Sequence, residues 1–299
     1  MNALCILALL SAVSSAEQLA FDVEKGGGTW SFSEKWVDAE GRRHTATFSL
    51  PADQVRADLE EPLHFKLQEA NQAMAQAVRR WAEGRPGPQV TARVQGGGVQ
   101  IQATGQSRAR IKEALAAAAE VRDRALQDYL REHGFTMVDG GVMPDHPRHV
   151  VDYAPALSPV VLALGGPGES PRAFADLALS FVQSIPYEQA SKARDRFRRP
   201  LSLLGRNKGD CDSKSTLFLG LMRAAWPEVP LGVVTIPGHA FVALGLPVES
   251  GDVHLDAQGH DWLLAEPVGP RLAPAGEVAR QSRRKARRGK ATLRVVPEG

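Results

Sequence analysis

The feature that most constrains the fold is a change of hydrophobic period between residues 212 and 266. Over 212–226, apolar residues recur at steps of three and four, as they do on the buried face of a helix. Three short runs rich in β-forming residues follow, and Pro, Gly or Asp bound each of them. The chain therefore predicts a helix that leads into an antiparallel sheet, with strands in LGVVTI (231–236), HAFVALGLP (239–247) and WLLAE (262–266).

Residues 17–145 mix hairpin and helix patterns, which predicts an α+β accessory domain. Alternation of apolar and polar residues on both sides of the turn at 39–41 predicts one β-hairpin. A second hairpin is predicted over 89–105, around three glycines whose spacing is not that of a phosphate-binding loop. Helical periodicity predicts helices over 62–83 and 107–133.

A stretch rich in Pro and Gly, residues 143–171, is typical of the passage between two domains. A further helix is predicted directly after it, over 171–184. The chain as a whole is therefore expected to be an α+β protein. We divide it into a leader of residues 1–16, an accessory domain of 17–145, a second domain of 146–278 and a basic tail of 279–299.

Residues 1–16, MNALCILALLSAVSSA, have the pattern of a secretory signal peptide. An apolar run is followed by Ser14 and Ala16 at the positions that signal peptidase reads, so we expect cleavage after Ala16 and export to the periplasm or the medium. The start of the segment carries no Lys or Arg, which leaves open an upstream start or an ordinary apolar terminus. No later stretch is long and apolar enough to span a bilayer.

The overall charge says little about partners, because 36 basic residues nearly balance 34 acidic ones. The exception is RQSRRKARRGK, residues 280–290, with seven basic residues and no acidic one. Such a run is typical of a solvated tail, and the alternative is docking on an anionic surface such as a membrane leaflet. It has no aromatic residue for base stacking, so no nucleic-acid partner is expected. The residues after it, ATLRVVP, have the composition of an edge strand.

Two groups of histidines were considered as metal ligands. Neither group offers a full set of ligands at metal-binding spacing, so we interpret both as loop residues and expect no metal or cofactor. The two groups are His146 with His149, and His254 with Asp256, His260 and Asp261.

Cys211 is the only cysteine that remains after the expected cleavage. Its thiol is therefore a reactive group, an intermolecular bridge or a small buried hydrophobe. The helical stripe begins just after it, so it is expected at a helix N-terminus, where unpaired N–H groups favour the thiolate. Asp210 and Asp212 oppose this effect, because like charge raises the pKa of a thiol. A cationic neighbour is therefore needed.

His239 and Glu266 are the candidate partners of the thiol. His239 begins a predicted strand after a Pro-Gly turn, where its ring can pair with the thiolate and protonate a leaving group. Glu266 ends another predicted strand, and a carboxylate there would orient the ring. Each residue also has a simpler interpretation, as a structural histidine and as a glutamate that faces water before Pro267.

Four runs in combination resemble the transglutaminase-like superfamily of papain-type cysteine enzymes: FVQSIPYE (181–188), GDCDSKSTLFLGLMRA (209–224), PGHAFVAL (237–244) and WLLAEP (262–267). The order Cys, His, acid matches that family's pattern, and the similarity covers residues 171–277. It implies a Cys-bearing helix packed on an antiparallel sheet that carries the other two residues. Cys211 would be the nucleophile, His239 the general base and acid, and Glu266 the orienting group.

The third position departs from the commonest pattern of the family, which has Asp there, so Asp256 and Asp261 are fallback candidates. The oxyanion hole is expected to include the Cys211 backbone N–H, with Gln183 as a further candidate donor. The resemblance implies a cofactor-free thiol hydrolase that cleaves an amide bond of a protein or peptide through an acyl-enzyme. Protein cross-linking and a binding module without turnover remain open as alternatives.

Overall fold

The computed structural model is an α+β fold, as the sequence predicted. It divides into two compact units, Met1–Pro62 with His146–Gly299, and Leu63–Asp145. The expected signal peptide at 1–16 lies outside the described residues. Among the residues that are described, no helix has both the length and the apolarity to cross a membrane. The structure describes residues 17–61, 63–138, 140–188, 197–269 and 271–298.

Eight helices lie within these ranges: α1 (Ala52–Glu60), α2 (Leu67–Ala82), α3 (Arg108–Glu132), α4 (His146–Ala163), α5 (Pro171–Ser184), α6 (Pro200–Arg206), α7 (Cys211–Ala225) and α8 (Arg280–Arg287). Four of them, α2, α3, α5 and α7, confirm predicted helices. The bounds of α5 are those predicted, and the ends of the other three are shifted by one to five residues. The remaining four helices were not predicted.

The described strands form four antiparallel sheets. Both predicted hairpins are confirmed, as the pairs β2–β3 and β4–β5. The strands are β1 (Gln18–Lys25), β2 (Thr29–Val37), β3 (Arg43–Pro51), β4 (Gln89–Gln95), β5 (Gly98–Thr104), β6 (Phe135–Val138), β7 (Gly141–Pro144), β8 (Leu231–Ile236), β9 (His239–Leu244), β10 (His254–Ala257), β11 (His260–Ala265) and β12 (Thr292–Val295).

The first three strands belong to the same compact unit as the helix that carries Cys211, whereas we expected them in an accessory domain of 17–145. Their buried side chains explain the difference. Trp36 of β2 is almost completely buried, packs edge-on against Phe181 of α5, and donates a hydrogen bond from Nε1 to Ser180 Oγ at 2.9 Å. The boundary at residue 145 coincides with an edge of the second unit.

The Pro-rich stretch that we interpreted as a passage between domains forms α4, an 18-residue helix that contains Pro155 and Pro159. Each proline removes one backbone donor from the helix interior, which is why the sequence argued against a helix. Tertiary packing outweighs this cost, because Leu157 and Val160 of α4 are fully buried in the main core against α7 and β3. Helix propensity is a weak constraint where a whole apolar face is covered.

The central element of the larger unit is a five-stranded sheet with the order β10-β11-β9-β8-β12. Helix α7 packs against β8 and β9 on the side of the main core, which agrees with the predicted packing of the Cys-bearing helix on an antiparallel sheet. A second apolar cluster, with Phe241, Trp262 and Ala286, covers the opposite face. Both faces are therefore buried, which explains why β9 is apolar from Ala240 to Leu244 and does not alternate.

The basic run is ordered and not a flexible tail. Residues 280–287 form α8, which packs against β8, and the following residues return as β12, paired antiparallel with β8 at the sheet edge. The edge strand is thus confirmed. The interpretation as a flexible tail is wrong, although most of its basic side chains are exposed to solvent. Ser282 and Ala286 explain the ordering, because both are buried on the sheet side of α8 while the charged residues lie outside.

The smaller unit, Leu63–Asp145, contains α2, α3 and two hairpins. Its buried cluster is formed mainly by small side chains, Ala75, Val78, Ala92 and Ala118. Helix α3 begins as its cap residue predicts, since the Ser107 hydroxyl accepts the backbone N–H of Arg110.

Candidate active site

Cys211 is the first residue of α7, and the residues around it fix the start of that helix. Asp210 is the N-cap, and its Oδ1 accepts the backbone N–H of Ser213 at 2.9 Å and the Ser213 hydroxyl at 2.6 Å. A Cβ on Gly209 would lie 2.7 Å from Leu203 Cδ1 and 3.1 Å from Ser213 Cβ, so a larger residue before the cap would require these side chains to shift. The predicted position of the thiol at a helix N-terminus is confirmed.

Three further groups contact the Cys211 thiol. Asp212 Oδ1 lies 3.6 Å from Sγ, the backbone N–H of Ala240 donates to the sulfur, and the Tyr187 hydroxyl is hydrogen-bonded to it. Tyr187 is held there by a parallel bridge to Gly209, and it remains 46% exposed. The thiol is thus partly buried beside a solvent-accessible tyrosine.

The electrostatic surroundings of Cys211 differ from those we expected. Burial raises the pKa of the thiol to about 12, with further increases from Asp212 and Asp210 and an opposing effect of the Ala240 N–H. The N-terminus of α7 does not offset this, and the Asp210 side chain already accepts one of its N–H groups, that of Ser213. The thiol is therefore protonated at neutral pH, and the predicted preference for the thiolate is wrong.

His239 and Glu266 form the pair that the sequence predicted. His239 is the first residue of β9, after a two-residue turn in which Gly238 adopts φ +79°. Its Nε2 lies 2.5 Å from Oε1 of Glu266. Glu266 directly follows β11, the strand that pairs with β9. The alternative in which Glu266 faces water does not hold, since the residue is only 9% exposed.

Glu266 also accepts two hydrogen bonds from the beginning of α8. Its Oε2 accepts the Ala279 backbone N–H at 2.5 Å, and its Oε1 accepts the Ser282 hydroxyl at 3.1 Å. Burial alone would raise the pKa of this carboxyl, but the hydrogen bonds from His239, Ala279 and Ser282 outweigh it and lower the pKa below its usual value. Glu266 is therefore ionised at neutral pH and holds the imidazole by its Nε2.

Helix α7, which begins with Cys211, packs against β9, which begins with His239. The Ala240 N–H that lowers the pKa of the Cys211 thiol belongs to the residue next to His239 in the chain. The structure thus pairs His239 with Glu266 and places Cys211 on the helix that packs against the same strand.

Gln183 does not fit its expected role as an oxyanion donor. Its Nε2 donates to the backbone oxygens of Glu266 and Ala273, both at 2.9 Å, and its Oε1 accepts the Ala273 N–H at 3.2 Å. An amide nitrogen has two hydrogens, so neither is left for a substrate. Gln183 instead ties the end of α5 to the segment that follows Glu266.

Lys214 was not considered from the sequence, although it lies one turn after Cys211. Its side chain is fully buried, and its Nζ donates to the backbone oxygens of Gln183 and Ile185 at the end of α5. Burial lowers the pKa of this amine to about 7. Lys214 and Gln183 together connect the Cys-bearing helix, the end of α5 and the segment after Glu266.

The two fallback residues lie elsewhere in the sheet. Asp256 of β10 and Asp261 of β11 face each other in register on an exposed hairpin, and Glu266 already occupies the position beside His239. His254 Nε2 is 3.9 Å from Asp261 Oδ1. These residues lie on paired strands, whereas the sequence predicted a loop. Among the described residues, no group of three or more His, Cys, Asp or Glu side chains could hold a metal ion.

His146 and His149 are buried on α4, so the interpretation as surface loop histidines is wrong. His146 Nδ1 lies 3.2 Å from Thr216 Oγ1, and its Nε2, 3.9 Å from Asp212 Oδ2, has no hydrogen-bond partner among the described residues. Burial, with smaller effects of His149 and Arg294, lowers the pKa of His146 to about 3. The imidazole of His146 is therefore neutral at neutral pH and lies next to the Asp212 carboxylate.

Sequence reasoning missed the residues that support the trio, namely Tyr187, Ala240, Ala279 and Ser282. Only Tyr187 carried a usable signal, since it stands within the run FVQSIPYE that contributes to the family resemblance. The contacts of the other three depend on tertiary packing, and two of them act through backbone N–H groups that any residue provides. Comparison with protein-family models, curated proteins and solved structures finds no match to this chain.

Proposed function

We propose that the protein is a cysteine-dependent hydrolase that cleaves an amide bond of a protein or peptide through an acyl-enzyme. One observation carries the proposal: the buried Glu266 carboxylate holds the His239 imidazole, with 2.5 Å between Oε1 and Nε2, at the start of the strand against which the Cys-bearing helix packs. A nucleophile next to a base that is oriented by a third group is the arrangement used for covalent catalysis. The family resemblance of residues 171–277 supports the same chemistry.

In the proposed reaction, the Cys211 sulfur attacks the amide carbonyl carbon while His239 takes the thiol proton. Nε2 is engaged by Glu266, which leaves Nδ1 as the ring nitrogen that accepts it. The carbonyl oxygen becomes an oxyanion, and the Cys211 backbone N–H, in the first turn of α7, is a donor without an intrahelical acceptor. His239 then protonates the amine, which leaves as the carbon–nitrogen bond breaks and a thioester remains.

Water completes the cycle by attacking the thioester carbon and giving its proton to His239, after which the carboxylic acid and the thiol are released. Since the thiol is protonated in the resting protein, this mechanism relies on proton transfer during attack and not on a preformed thiolate. The ionised Glu266 supports it by stabilising the positive charge that His239 gains in each half-reaction. Export by the segment 1–16 remains part of the proposal.

The proposal is tested with p-nitrophenyl acetate as a general acyl donor and intact-mass spectrometry of the mature chain. We expect one acetyl group on Cys211, its slow hydrolysis, and no adduct on Cys211→Ala. An unmodified Cys211, in a chain whose denatured form is acetylated, would instead favour a binding module without turnover.

Methylamine added to the same reaction distinguishes hydrolysis from cross-linking. Acetate is the expected product at every amine concentration, because the proposed acyl acceptor is water. Formation of N-methylacetamide in place of acetate would assign the protein to the amine-transferring class.

A further inference from the structure

The exposed side of α8 and of the turn after it is strongly cationic. The structure places no carboxylate of its described residues within ion-pairing distance of these side chains. Their charge is therefore directed to solvent and to whatever binds there. We call this surface the α8 basic face, and it consists of Arg280, Arg283, Arg284, Arg287, Arg288 and Lys290, all exposed.

Helix α8 is attached directly to the candidate catalytic residues. Ser282 and the Ala279 N–H donate to Glu266, and Lys285 Nζ donates to the Pro237 backbone oxygen at 2.8 Å, two residues before His239. Ala286 packs into the apolar cluster under the sheet and fixes the helix from below. The buried side of α8 therefore contacts the His239–Glu266 pair, and the α8 basic face is the outer side of the same helix.

We propose that the α8 basic face binds an acidic segment of the polypeptide substrate. This inference rests on the proposed function, since it names the substrate class of that same site. Five of the six side chains are arginines, whose planar guanidinium groups bind carboxylates with two parallel hydrogen bonds. Because the helix is fixed to Glu266 and Pro237, a segment bound on its outer side is held next to the strand ends that carry the His239–Glu266 pair.

The composition of the face favours an acidic polypeptide over other anionic partners. A helix that inserts into a membrane interface needs a free apolar side, and the apolar residue Ala286 of α8 is already buried. Single-stranded nucleic acid is bound with aromatic stacking platforms, and α8 has no aromatic residue. The neighbouring Cys–His–Glu group acts on carbonyl compounds, so the same polypeptide supplies both the acidic segment and the scissile bond.

The first experiment compares two chloroacetyl peptides of equal length, one glutamate-rich and one with glutamine at every glutamate. The rate of Cys211 labelling is followed by mass spectrometry in the full mature chain. At low salt we expect the acidic peptide to react about tenfold faster. At about 0.5 M NaCl the two rates should converge, because charges at the surface are screened.

One triple variant on the α8 basic face and one double variant elsewhere as its control make the comparison specific. Arg283→Gln/Arg284→Gln/Arg287→Gln should abolish the preference for the acidic peptide, whereas the control Arg79→Gln/Arg80→Gln, on exposed arginines at the end of α2, should retain it. Iodoacetamide, which is small and uncharged, should label all three proteins at the same rate. Equal rates for both peptides in the wild type would overturn the inference.

Binding is also measured without the thiol, by fluorescence anisotropy of labelled, non-reactive versions of both peptides with Cys211→Ala. Tighter binding of the acidic peptide supports the inference even if Cys211 proves unreactive, a result that would count against the proposed function alone. Co-sedimentation with phosphatidylglycerol vesicles gives the competing outcome. Vesicle binding that the triple variant loses, together with no peptide preference, would assign the face to lipid and overturn the proposal.

Discussion

The N-termini of α7 and α8 each lie at an ionisable group of the candidate site, and the pKa values of the two groups are shifted in opposite directions. At α7, the pKa of the Cys211 thiol is raised to about 12, whereas at α8 the pKa of the Glu266 carboxyl is lowered. Both groups are anionic when deprotonated, and a helix N-terminus favours such groups in general. The two regions therefore differ in something other than the helix itself.

Burial raises the pKa of both groups. At Glu266 hydrogen-bond donors outweigh this effect, whereas at Cys211 the neighbouring carboxylates add to it. The first turn of α7 has Asp210 as its cap and Asp212 inside it, and both carboxylates repel a thiolate. The first turn of α8 has no acidic residue, so its free donors, the Ala279 N–H and the Ser282 hydroxyl, are directed to Glu266. The carboxylates at the start of α7 thus add to the effect of burial and work against activation of Cys211.

The largest expected effect comes from Glu266→Gln, which removes the anion at α8. The amide places a donor against His239, Ala279 and Ser282, so buried donors lose their acceptor. We expect the free energy of unfolding at neutral pH to fall by about 3 kcal/mol, measured by urea titration. Glu277→Gln, on an exposed carboxylate, is the matched control and should change little.

The pH dependence of this loss follows from the sign of the pKa shift. Because the pKa of Glu266 is lower in the folded state, its contribution is present above the unfolded value, about 4.3, and is lost as the pH falls through the folded value. The difference between wild type and Glu266→Gln should therefore shrink in acid. A difference that stays constant down to pH ~2 would contradict the role of the charge.

Glu34→Gln is expected to have the opposite sign, because Glu34 is a buried carboxylate with few donors. Its Oε2 accepts Gln18 Nε2 at 3.1 Å, its Oε1 has no partner among the described residues, and burial raises the pKa to about 7. The folded state thus loses stability as the pH rises from about 4.5 through 7. The variant should be about 2 kcal/mol more stable at pH ~8 and equally stable at pH ~4.

Thermal unfolding at the two pH values measures this effect. The control is Glu24→Gln on the exposed side of β1, for which we expect no change at either pH. Destabilisation by Glu34→Gln at pH ~8 would mean that the number of donors does not decide the behaviour of buried carboxylates in this fold.

Asp212→Asn tests the α7 side of the comparison. It removes the charge that, after burial, contributes most to the raised pKa of Cys211. A decrease of about one pKa unit makes the thiolate about tenfold more abundant at pH ~8. Alkylation by iodoacetamide should therefore be about tenfold faster. Asp256→Asn, an exposed aspartate on β10, is the control, and equal rates in both variants would contradict the account.

Tyr187→Phe should have the smallest effect. The variant keeps the ring beside Cys211 but removes the hydroxyl that is hydrogen-bonded to the thiol. A donor to the sulfur favours the charged form, so alkylation should become about threefold slower. Faster alkylation would mean that the ring shields the sulfur and that the hydroxyl does not assist it.

The comparison also shows which parts of the molecule can be read from the sequence. The change of hydrophobic period places α7 before β8 and β9. The trio is predicted from a Cys, a His and a Glu at the ends of α7, β9 and β11, together with the family resemblance. The ends of elements are informative because the hydrophobic pattern determines them directly. The transglutaminase-like resemblance that accompanied this reasoning stays a prediction.

The remaining features depend on packing that no local pattern reports. Helix α4 forms despite Pro155 and Pro159 because its apolar face is buried, and α8 forms despite its charges because Ser282 and Ala286 dock on the sheet. The sequence did identify the opposing effect of the aspartates beside Cys211. It did not reveal the burial of the thiol, and burial is the largest cause of its raised pKa.

The most direct test of the account compares two reactions of Cys211 in wild type and His239→Ala. Acetylation by p-nitrophenyl acetate needs a base during attack, whereas iodoacetamide alkylation follows the amount of thiolate already present. We predict that His239→Ala slows acetylation about 100-fold and leaves the pH profile of alkylation unchanged, with no plateau below pH ~9. The contrary result is alkylation that is already at its plateau at neutral pH and that falls together with acetylation in the variant. It would show a preformed thiolate–imidazolium pair and would contradict the protonated thiol on which the mechanism rests.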